Sequence, residues 1–510
     1  MTQPNVLFIT LDQWRADCLG ATGNDQNMTA ALDGLAADGT VFRNHFTNIA
    51  PCGPSRTSFL TGMYPSNHRS IRNGTPLNYS LTNLALEARA GGYDPKLFGY
   101  TDTTPDPRTL GVDHKAFQTY EGIMPGFNLG ANLSSTCEPW LNYLRQKGVD
   151  VPGPGYEICY PDPTFELPEG RHSVHAPARY KADDSDTAWL TNQVIADMRA
   201  SRSAFFHHLT YLRPHPPFIA PPEYHALFDP AAMPRAIRER PLEEMRNFHP
   251  FLDFVYNEIR ESSFYMQGEG LCADLSEADV AEIRAVYKAL ITEVDDNIAR
   301  IIAELKASNR YDETLIIVTS DHGEQLGDHY LFGKLGFYDQ SFHIPLIVKP
   351  PKSWGAVSGT SVDAFTEAVD IMPTILDGLS LPKARQCDGK SLVPFLKGQP
   401  PEKWRSAVHW LFDFRDPLGQ RSEAYFDLAP TACNLLVRRD ADFKYVHFAG
   451  LPPLLFDMRN DPEETRNLAE EPDYQAVVLH YAQQLLSWRM EHEYSELDGL
   501  ITSEAGLVGY

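Results

Sequence analysis

Short apolar runs of strand length recur along this chain and alternate with segments of helical periodicity. Five such runs stand out: NVLFITL (5–11), YDPKLFGY (93–100), AFFHHLTYL (204–212), TLIIVTS (314–320) and IPLIVKP (344–350). Strands that are apolar on both faces and bounded by turn residues suit a parallel sheet that helices cover on both sides. We therefore expect a doubly wound α/β fold with a mostly parallel sheet.

Helical periodicity occupies the intervals between these runs. It predicts helices over 28–38, 80–91, 185–200, 277–306 and 362–379, and Ser276 with Asp279 forms a cap pattern before the fourth. Two stretches, 120–183 and 213–275, break the alternation. We expect both to lie over the carboxyl edge of the sheet, where ligands of such folds bind.

The pattern changes after about residue 385. It predicts short strands over 407–413, 433–439 and 443–449 and a helix near 473–490, as in a small α+β domain with an antiparallel sheet. We therefore divide the chain into a catalytic domain (1–385) and a small C-terminal domain (386–510). The tail 494–510 is mildly apolar, so we expect it to dock on a neighbouring subunit of a homodimer or homotetramer.

The charge balance excludes one large class of partners. Lys and Arg number 44 against 68 Asp and Glu, a net charge of −24, which argues against nucleic acid. The N-terminus has no basic segment followed by a long apolar stretch, so we expect neither a signal peptide nor a membrane anchor, and a cytoplasmic protein. Seven scattered cysteines without CxxC spacing fit reduced thiols.

Polar residues with metal-binding chemistry follow two of the predicted strands. Asp12 and Gln13 end the first strand, and Asp321 and His322 end another, more than 300 positions later. Either pair alone is more often a helix or turn cap. Because carboxyl ends of parallel strands can be neighbours, however, the four predict an oxygen-rich divalent metal site with one nitrogen ligand.

The segment PCGPSRTSFLTG (51–62) carries a resemblance to a known family. Its run from Cys52 through Arg56 to Gly62 is similar to the C-x-P-S-R-x-x-x-L-T-G signature of the formylglycine-dependent sulfatases, in the alkaline phosphatase superfamily. Segments 320–350, 368–379 and 455–469 are also similar to sulfatase segments, in the same order. The resemblance therefore spans nearly the whole chain.

The resemblance implies that a formylglycine-generating enzyme oxidises Cys52 to formylglycine, whose aldehyde hydrates to a gem-diol. One hydroxyl attacks sulfur or phosphorus, and the other then collapses to the aldehyde and expels the anion. A serine would lack that exit. The alternative for Cys52, a small buried hydrophobe at a turn, is the commonest fate of cysteine. Arg56 would bridge a metal-ligand carboxylate and the nucleophile.

The resemblance also implies a set of site residues. The metal ligands would be Asp12, Gln13, Cys52, Asp321 and His322. Gln13 and His322 depart from the common sulfatase pattern and resemble the phosphonate monoester hydrolase branch, which shifts preference from calcium toward manganese, zinc or iron. We expect one divalent ion, manganese or calcium ahead of zinc or iron.

Further positions match residues around the family's substrate. His215, between two prolines, matches a histidine near the leaving group, and Lys334 matches a sulfate-contacting lysine that can be a general acid or anion clamp. A surface histidine and a solvated lysine are the alternatives. Four more positions match the substrate pocket of the phosphonate hydrolase branch: Asn73, Tyr100, Thr101 and Asp102.

These residues predict a hydrolase of aryl sulfate and phosphonate monoesters, with phosphonate monoester hydrolysis or phosphodiester hydrolysis as the main activity in the alternative interpretation. A phosphomutase or phosphodiesterase of the same superfamily would carry Ser or Thr in place of Cys52. A catalytically silent binding protein would have lost a ligand or cation, and none is missing. A dehydrogenase would show G-x-G-x-x-G after the first strand, which this chain lacks there.

Overall fold

The computed structural model describes residues 3–24, 28–493 and 499–509. A large sheet at its centre comprises β1 (Asn5–Asp12), β2 (Thr40–Phe46), β3 (Pro95–Gly99), β4 (Asn128–Asn132), β5 (Phe206–Pro214), β6 (Thr314–Ser320), β7 (Leu346–Lys349) and β8 (Thr360–Glu367). The strand order is β4-β3-β5-β1-β6-β7-β2-β8. All neighbours are parallel except β7, which runs antiparallel to both β6 and β2. The sheet is therefore mostly parallel, as the sequence predicts.

Fourteen α-helices occur in the described residues, and those of the first part of the chain cover both faces of this sheet. They are α1 (Ala30–Asp38), α2 (Cys52–Thr61), α3 (Pro65–His68), α4 (Leu84–Ala90), α5 (Glu138–Gln146), α6 (Asp186–Ala200), α7 (Leu242–Arg246), α8 (Pro250–Glu258), α9 (Glu277–Ala307), α10 (Asp339–Phe342), α11 (Ile371–Gly378), α12 (Val393–Leu396), α13 (Arg421–Phe426) and α14 (Gln475–Glu491). Alternate residues of β1 enter two separate cores: Leu7 and Ile9 join one, and Val6 and Phe8 join the other. The predicted capping box of Ser276 and Asp279 begins α9. Within the described ranges, we find no helix whose length and apolar content would let it cross a membrane.

A smaller antiparallel sheet follows. It comprises β9 (Ala407–Asp413), β10 (Asn434–Asp440), β11 (Phe443–Phe448) and β12 (Leu454–Asp457), in the order β12-β11-β10-β9, and α14 packs against it. The predicted fold class, a doubly wound sheet plus a C-terminal α+β part, is confirmed. The boundary at 385/386 stays a prediction, because Val408 and Val437 of the small sheet belong to the same apolar core as α9. Past that sheet, β13 (Leu500–Ser503) and β14 (Gly506–Gly509) form a hairpin, while 494–498 and 510 of the predicted tail lie outside the described residues.

Two of the predicted elements are wrong in part. The helix predicted over 362–379 is a strand, β8, up to Glu367, and only Ile371–Gly378 is α-helical. This segment is a strand because it pairs with β2 at the edge of the sheet. Burial alternates along its first half, and β-branched residues such as Val362 suit such a strand. The run at 344–350 gives β7, but in the antiparallel direction.

Candidate active site

Two strand ends bring the predicted metal-binding residues together. β1 and β6 are parallel neighbours with Leu11 opposite Ser320, so Asp12 and Asp321 leave the sheet side by side, as predicted. The next residue, Gln13, adopts a φ of +68°, a left-handed conformation that costs energy for a residue with a side chain. Its N–H donates to Asp321 Oδ1 at 3.1 Å and the Tyr287 hydroxyl donates to its carbonyl at 2.7 Å. These bonds hold the strained turn in place.

Cys52 is the first residue of α2, all ten of whose residues are buried. Its Sγ lies 3.2 Å from His322 Nε2 and 3.8 Å from Asp12 Oδ1. One ligand atom from each of Asp12, Cys52, Asp321 and His322 lies within 4.8 Å of the others. A buried set of two carboxylates and one imidazole fits a divalent cation.

The imidazole of His322 is oriented for such an ion. Its Nδ1 lies 3.0 Å from the carbonyl of Gly323, which can only accept, so Nδ1 carries the hydrogen and Nε2 keeps its lone pair. Burial lowers the pKa of His322 to about 4, which keeps the ring neutral at neutral pH. A neutral imidazole with a free Nε2 is the form that binds metals.

Arg56 balances the buried carboxylates. Its guanidinium, with no exposed surface, donates to Asp12 Oδ2 at 2.8 Å and to Asp321 Oδ2 at 2.9 Å. It also donates to the backbone carbonyl of Tyr100 at 3.1 Å and lies 4.3 Å from the centroid of the Tyr100 ring. Its Nε is 3.6 Å from the Asp102 carboxylate. Burying the carboxylates of Asp12 and Asp321 without a counter-charge would destabilise the folded protein, so the site requires the Arg56 guanidinium.

The two carboxylates respond differently to this environment. Burial and the charge of Asp321 raise the pKa of Asp12. At Asp321 the effect of burial is outweighed by His322, Arg56 and Lys334, which lower its pKa. At Lys334 burial is outweighed by the negative groups around it, so its pKa is raised and it stays an ammonium. The local positive charge that an acidic protein needs for an anionic substrate is therefore present.

Lys334 and His215 face one cavity. The Lys334 ammonium lies 3.5 Å from Cys52 Sγ and donates to Gln13 Oε1 at 2.7 Å. His215 Nδ1 is 2.6 Å from the carbonyl of Pro216, so Nε2 is its free nitrogen. Both residues are half-buried and line a cavity of about 350 Å³.

Buried Arg213 holds the loop that carries His215. Its guanidinium donates to the carbonyls of His215 at 3.3 Å and Pro217 at 2.8 Å, and pairs with Asp186 at 3.1 Å. The loop is therefore tied to α6.

The four predicted substrate-pocket residues make different contacts in the structure. Asn73 Oδ1 accepts from the N–H of Gly53 at 2.9 Å, and Asn73 lines a cavity beside Pro51. The Tyr100 hydroxyl donates to Asp12 at 2.7 Å. The Thr101 hydroxyl donates to the carbonyl of Gly122 and accepts from the N–H of Met124, so it braces a loop. Asp102 lies beside Arg56, as described above.

Some of the surroundings were not predicted. Glu324, fully buried, accepts from the Gln13 side-chain amide and from the N–H of Leu326 at 3.0 Å, and so fixes the amide of Gln13. Glu324 carries no local sequence signal, because its role depends on its contact with Gln13 in the folded chain.

The cavity walls come from 251–264, inside the predicted excursion 213–275, and from 412–422 of the C-terminal part. No residue of 120–183, all of which are described, lines either cavity, although the first residues of this segment lie beside the carboxyl edge, where Thr101 bonds to Gly122 and Met124.

Taken together, the carboxyl edge of the sheet carries the machinery of a hydrolase that acts on anionic esters. Comparisons with known proteins agree. The family model described as Sulfatase matches residues 4–380, and the model described as N-sulphoglucosamine sulphohydrolase, C-terminal, matches residues 327–491.

Three relatives cover essentially the whole chain. The chain is 42% identical to the multifunctional alkaline phosphatase superfamily protein PehA of Trinickia caryophylli, covering 100% of this chain and 99% of that protein. The crystal structure of the phosphonate monoester hydrolase of Agrobacterium radiobacter matches with a TM-score of 0.95 at 44% identity, covering 100% of both chains. The arylsulfatase of Clostridium perfringens is 25% identical, covering 96% of this chain and 95% of that protein. The chain belongs to the sulfatase family.

Proposed function

We propose that this protein hydrolyses aryl sulfate and phosphonate monoesters, with formylglycine derived from Cys52 as the nucleophile and one divalent metal ion. The observation that carries the proposal is the buried cluster of Asp12, Cys52, Asp321 and His322 within 4.8 Å. The relatives named phosphonate monoester hydrolase and arylsulfatase support both substrate classes.

In the metal-free protein the Cys52 thiol is a poor nucleophile, because burial and the charge of Asp12 raise its pKa well above its ordinary range. Its Sγ marks the place of a hydroxyl of the hydrated aldehyde. Formylglycine supplies a hydroxyl for attack and a second one whose deprotonation releases the bound anion.

The bound metal ion would be held by Asp12, Gln13, Asp321 and His322 and would make that hydroxyl more acidic. The donor set, with two carboxylates, one amide and one imidazole, suits manganese or calcium ahead of zinc or iron.

The chain's own cations orient the ester. Lys334, 3.5 Å from the nucleophile position, binds an ester oxygen as an ammonium, and Arg56 fixes the carboxylates around it. Asn73 and His215 flank the same position from two cavities, and His215 Nε2 lies beside the leaving group. These residues hold the tetrahedral anion in line with the nucleophile.

The proposal also covers the protein's maturation partner, its assembly and its location in the cell. A formylglycine-generating enzyme would be its maturation partner, and a homodimer or homotetramer its assembly. A cytoplasmic location is supported by seven cysteines that are all free and buried, since disulfides mark oxidising compartments.

The test is tryptic-peptide mass spectrometry over residue 52, on protein co-expressed with a formylglycine-generating enzyme, together with turnover of an aryl sulfate and an aryl phosphonate. We expect activity to rise with the fraction of peptide that carries the aldehyde or its hydrate. The control is the Cys52→Ala variant, which cannot be converted. Full activity of protein with an unmodified thiol would overturn the formylglycine mechanism.

A further inference from the structure

The cleft beside residue 52 has two lobes rather than one. The lysine lobe, about 350 Å³, is lined by Gln13, His215, Phe264 and Lys334. The asparagine lobe, about 250 Å³, is lined by Pro51, Asn73, Phe254, Val255 and Phe414. Glu258, Leu335 and Arg421 line both and form the ridge between them.

The lysine lobe holds the groups that serve a departing oxygen. Lys334 is an ammonium 3.5 Å from Cys52 Sγ, and His215 has a free Nε2. In the asparagine lobe, Asp413 pairs with Arg415 at 2.7 Å and Asp416 pairs with Arg421 at 2.7 Å. Lys334, 3.5 Å from Cys52 Sγ, is placed to stabilise the negative charge that develops on a leaving oxygen, so the leaving group belongs to the lysine lobe.

The asparagine lobe is built to take an uncharged organic group. Phe254 and Val255 of α8 face it together with Phe414, and the Phe254 ring packs 5.2 Å from the Phe426 ring of α13. Three carboxylates, those of Glu258, Asp413 and Asp416, line the asparagine lobe, and the guanidinium groups of Arg72, Arg415 and Arg421 balance their charge. The charged side chains around the lobe therefore leave no net charge, which suits an uncharged organic group.

The number of lobes matches the number of organic groups on a substrate. A sulfate monoester carries one organic group, which leaves with its oxygen. A phosphonate monoester or phosphodiester carries two, and in an in-line displacement the one that stays bound to phosphorus points sideways from the reaction axis. A second apolar lobe can bind the organic group that a phosphonate monoester or phosphodiester keeps on phosphorus, and a sulfate monoester has no such group.

We propose that the asparagine lobe binds the organic substituent that stays on phosphorus, with Phe254 and Val255 as its specificity-determining residues. This inference rests on the proposed function and deepens it: the preferred substrates are phosphonate monoesters or phosphodiesters with a bulky apolar substituent, and sulfate monoesters use the lysine lobe alone. The attack itself is the one already described, so no further reactant is needed.

The test compares three 4-nitrophenyl esters with one common leaving group: the phenylphosphonate, the methylphosphonate and the sulfate. Val255→Phe fills the asparagine lobe, and Phe254→Ala removes its wall. We expect each to lower kcat/KM for the phenylphosphonate about 10-fold while the methylphosphonate and the sulfate change less than about 2-fold, as is typical of losing apolar contact in a pocket. The matched control, Phe264→Ala in the lysine lobe, should change all three esters by a similar factor.

The outcomes separate the two proposals. If all three esters respond equally to Val255→Phe and Phe254→Ala, the lobe assignment is wrong while the proposed function stands. If aldehyde-bearing wild-type protein turns over none of the three, the proposed function fails and this inference fails with it. Should Val255→Phe not fold, as judged by thermal melting, the phenyl-to-methyl ratio of Phe254→Ala decides.

Discussion

Arg56 is the residue on which both the stability and the chemistry of the site depend. It donates to Asp12 and Asp321 from a fully buried position. Arg56→Met would leave these carboxylates without their counter-charge, so we expect metal-free protein to lose about 3–5 kcal/mol of unfolding free energy. Turnover should fall by at least about 100-fold, as when a group that stabilises transition-state charge is removed. Urea unfolding and steady-state kinetics measure the two effects.

The control for Arg56 is Arg199, whose side chain is 67% exposed and pairs with Glu304. Arg199→Met should change stability by less than about 1 kcal/mol. Arg56→Lys should recover part of the stability but little of the activity, since a single ammonium cannot make the same set of bonds. Equal effects of Arg56→Met and Arg199→Met would contradict our account of the site.

Gly53 is fixed by the close approach of its surroundings. A Cβ at this position would lie 2.8 Å from the carbonyl oxygen of Asp102 and 3.1 Å from Asn73 Oδ1. We expect Gly53→Ala to cost about 1–3 kcal/mol through overpacking and to lower turnover by displacing residue 52. Gly34→Ala is the control, because open space surrounds Gly34 on α1 and alanine favours helices. Thermal melting that ranks Gly34→Ala below Gly53→Ala would refute the steric argument.

Sequence reasoning found the parts of the site that a local pattern marks. Asp12 and Asp321 were predictable because each follows an apolar strand, and parallel strands end at one edge. Glu324 was not, because its role depends on contact with Gln13, which only the folded chain creates. The wall at 412–422 was not predictable for the same reason, since no periodicity reports which distant segment covers a cleft.

Elements differ in how far their sequence determines them. α9 was predictable to within a residue at its C-terminal end, because thirty-one residues of periodic pattern follow a capping box. The short sequence of β8 also fits a helix, and its pairing with β2 decides that it is a strand. The direction of β7 likewise depends on its neighbours, β6 and β2, rather than on its own residues.

Glu293 gives α9 a pH-dependent contribution to stability. It is 1% exposed, its Oε1 has no hydrogen-bond partner among the described residues, and burial together with Asp186 raises its pKa to about 8, although Ser185 and Arg213 act in the opposite direction. Because the unfolded carboxyl ionises near its ordinary value, folding becomes less favourable as pH rises from about 4.5 to about 8.

Glu293→Gln removes this titration. We expect its advantage in unfolding free energy over the wild type to be absent at pH 4, to grow through this range and to level off at roughly 1–3 kcal/mol above pH 8. Urea unfolding at four pH values measures it, with Glu313→Gln, at an exposed position, as the control. An advantage that does not change with pH would show that Glu293 is ionised or neutral in both states alike.

At the scale of the whole molecule, the two sheets share one site. The large sheet supplies the buried cluster through β1 and β6, and the C-terminal part closes the cleft with Phe414 and Arg421. The protein carries a net charge of −24, so its global field repels anions. Binding must therefore draw on local positive charge, from buried Arg56, from half-buried Lys334 and from the proposed metal ion, and salt screens such interactions less than those of exposed charges.

The C-terminal hairpin exposes apolar side chains that contact with a second subunit would bury. Ile501 is 58% exposed and Leu507 is 69% exposed, on two paired strands that expose apolar side chains and an open strand edge. A second copy of the chain would cover both, which agrees with the predicted homodimer or homotetramer. We therefore expect deletion of 496–510 to lower the particle mass measured by light scattering.

The double variant Ile501→Thr/Leu507→Thr should weaken the same assembly without shortening the chain, whereas Leu418→Thr, at a 99% exposed site elsewhere, should not. If the deletion leaves the particle mass per chain unchanged, the hairpin does not hold subunits together, and its apolar residues need another explanation.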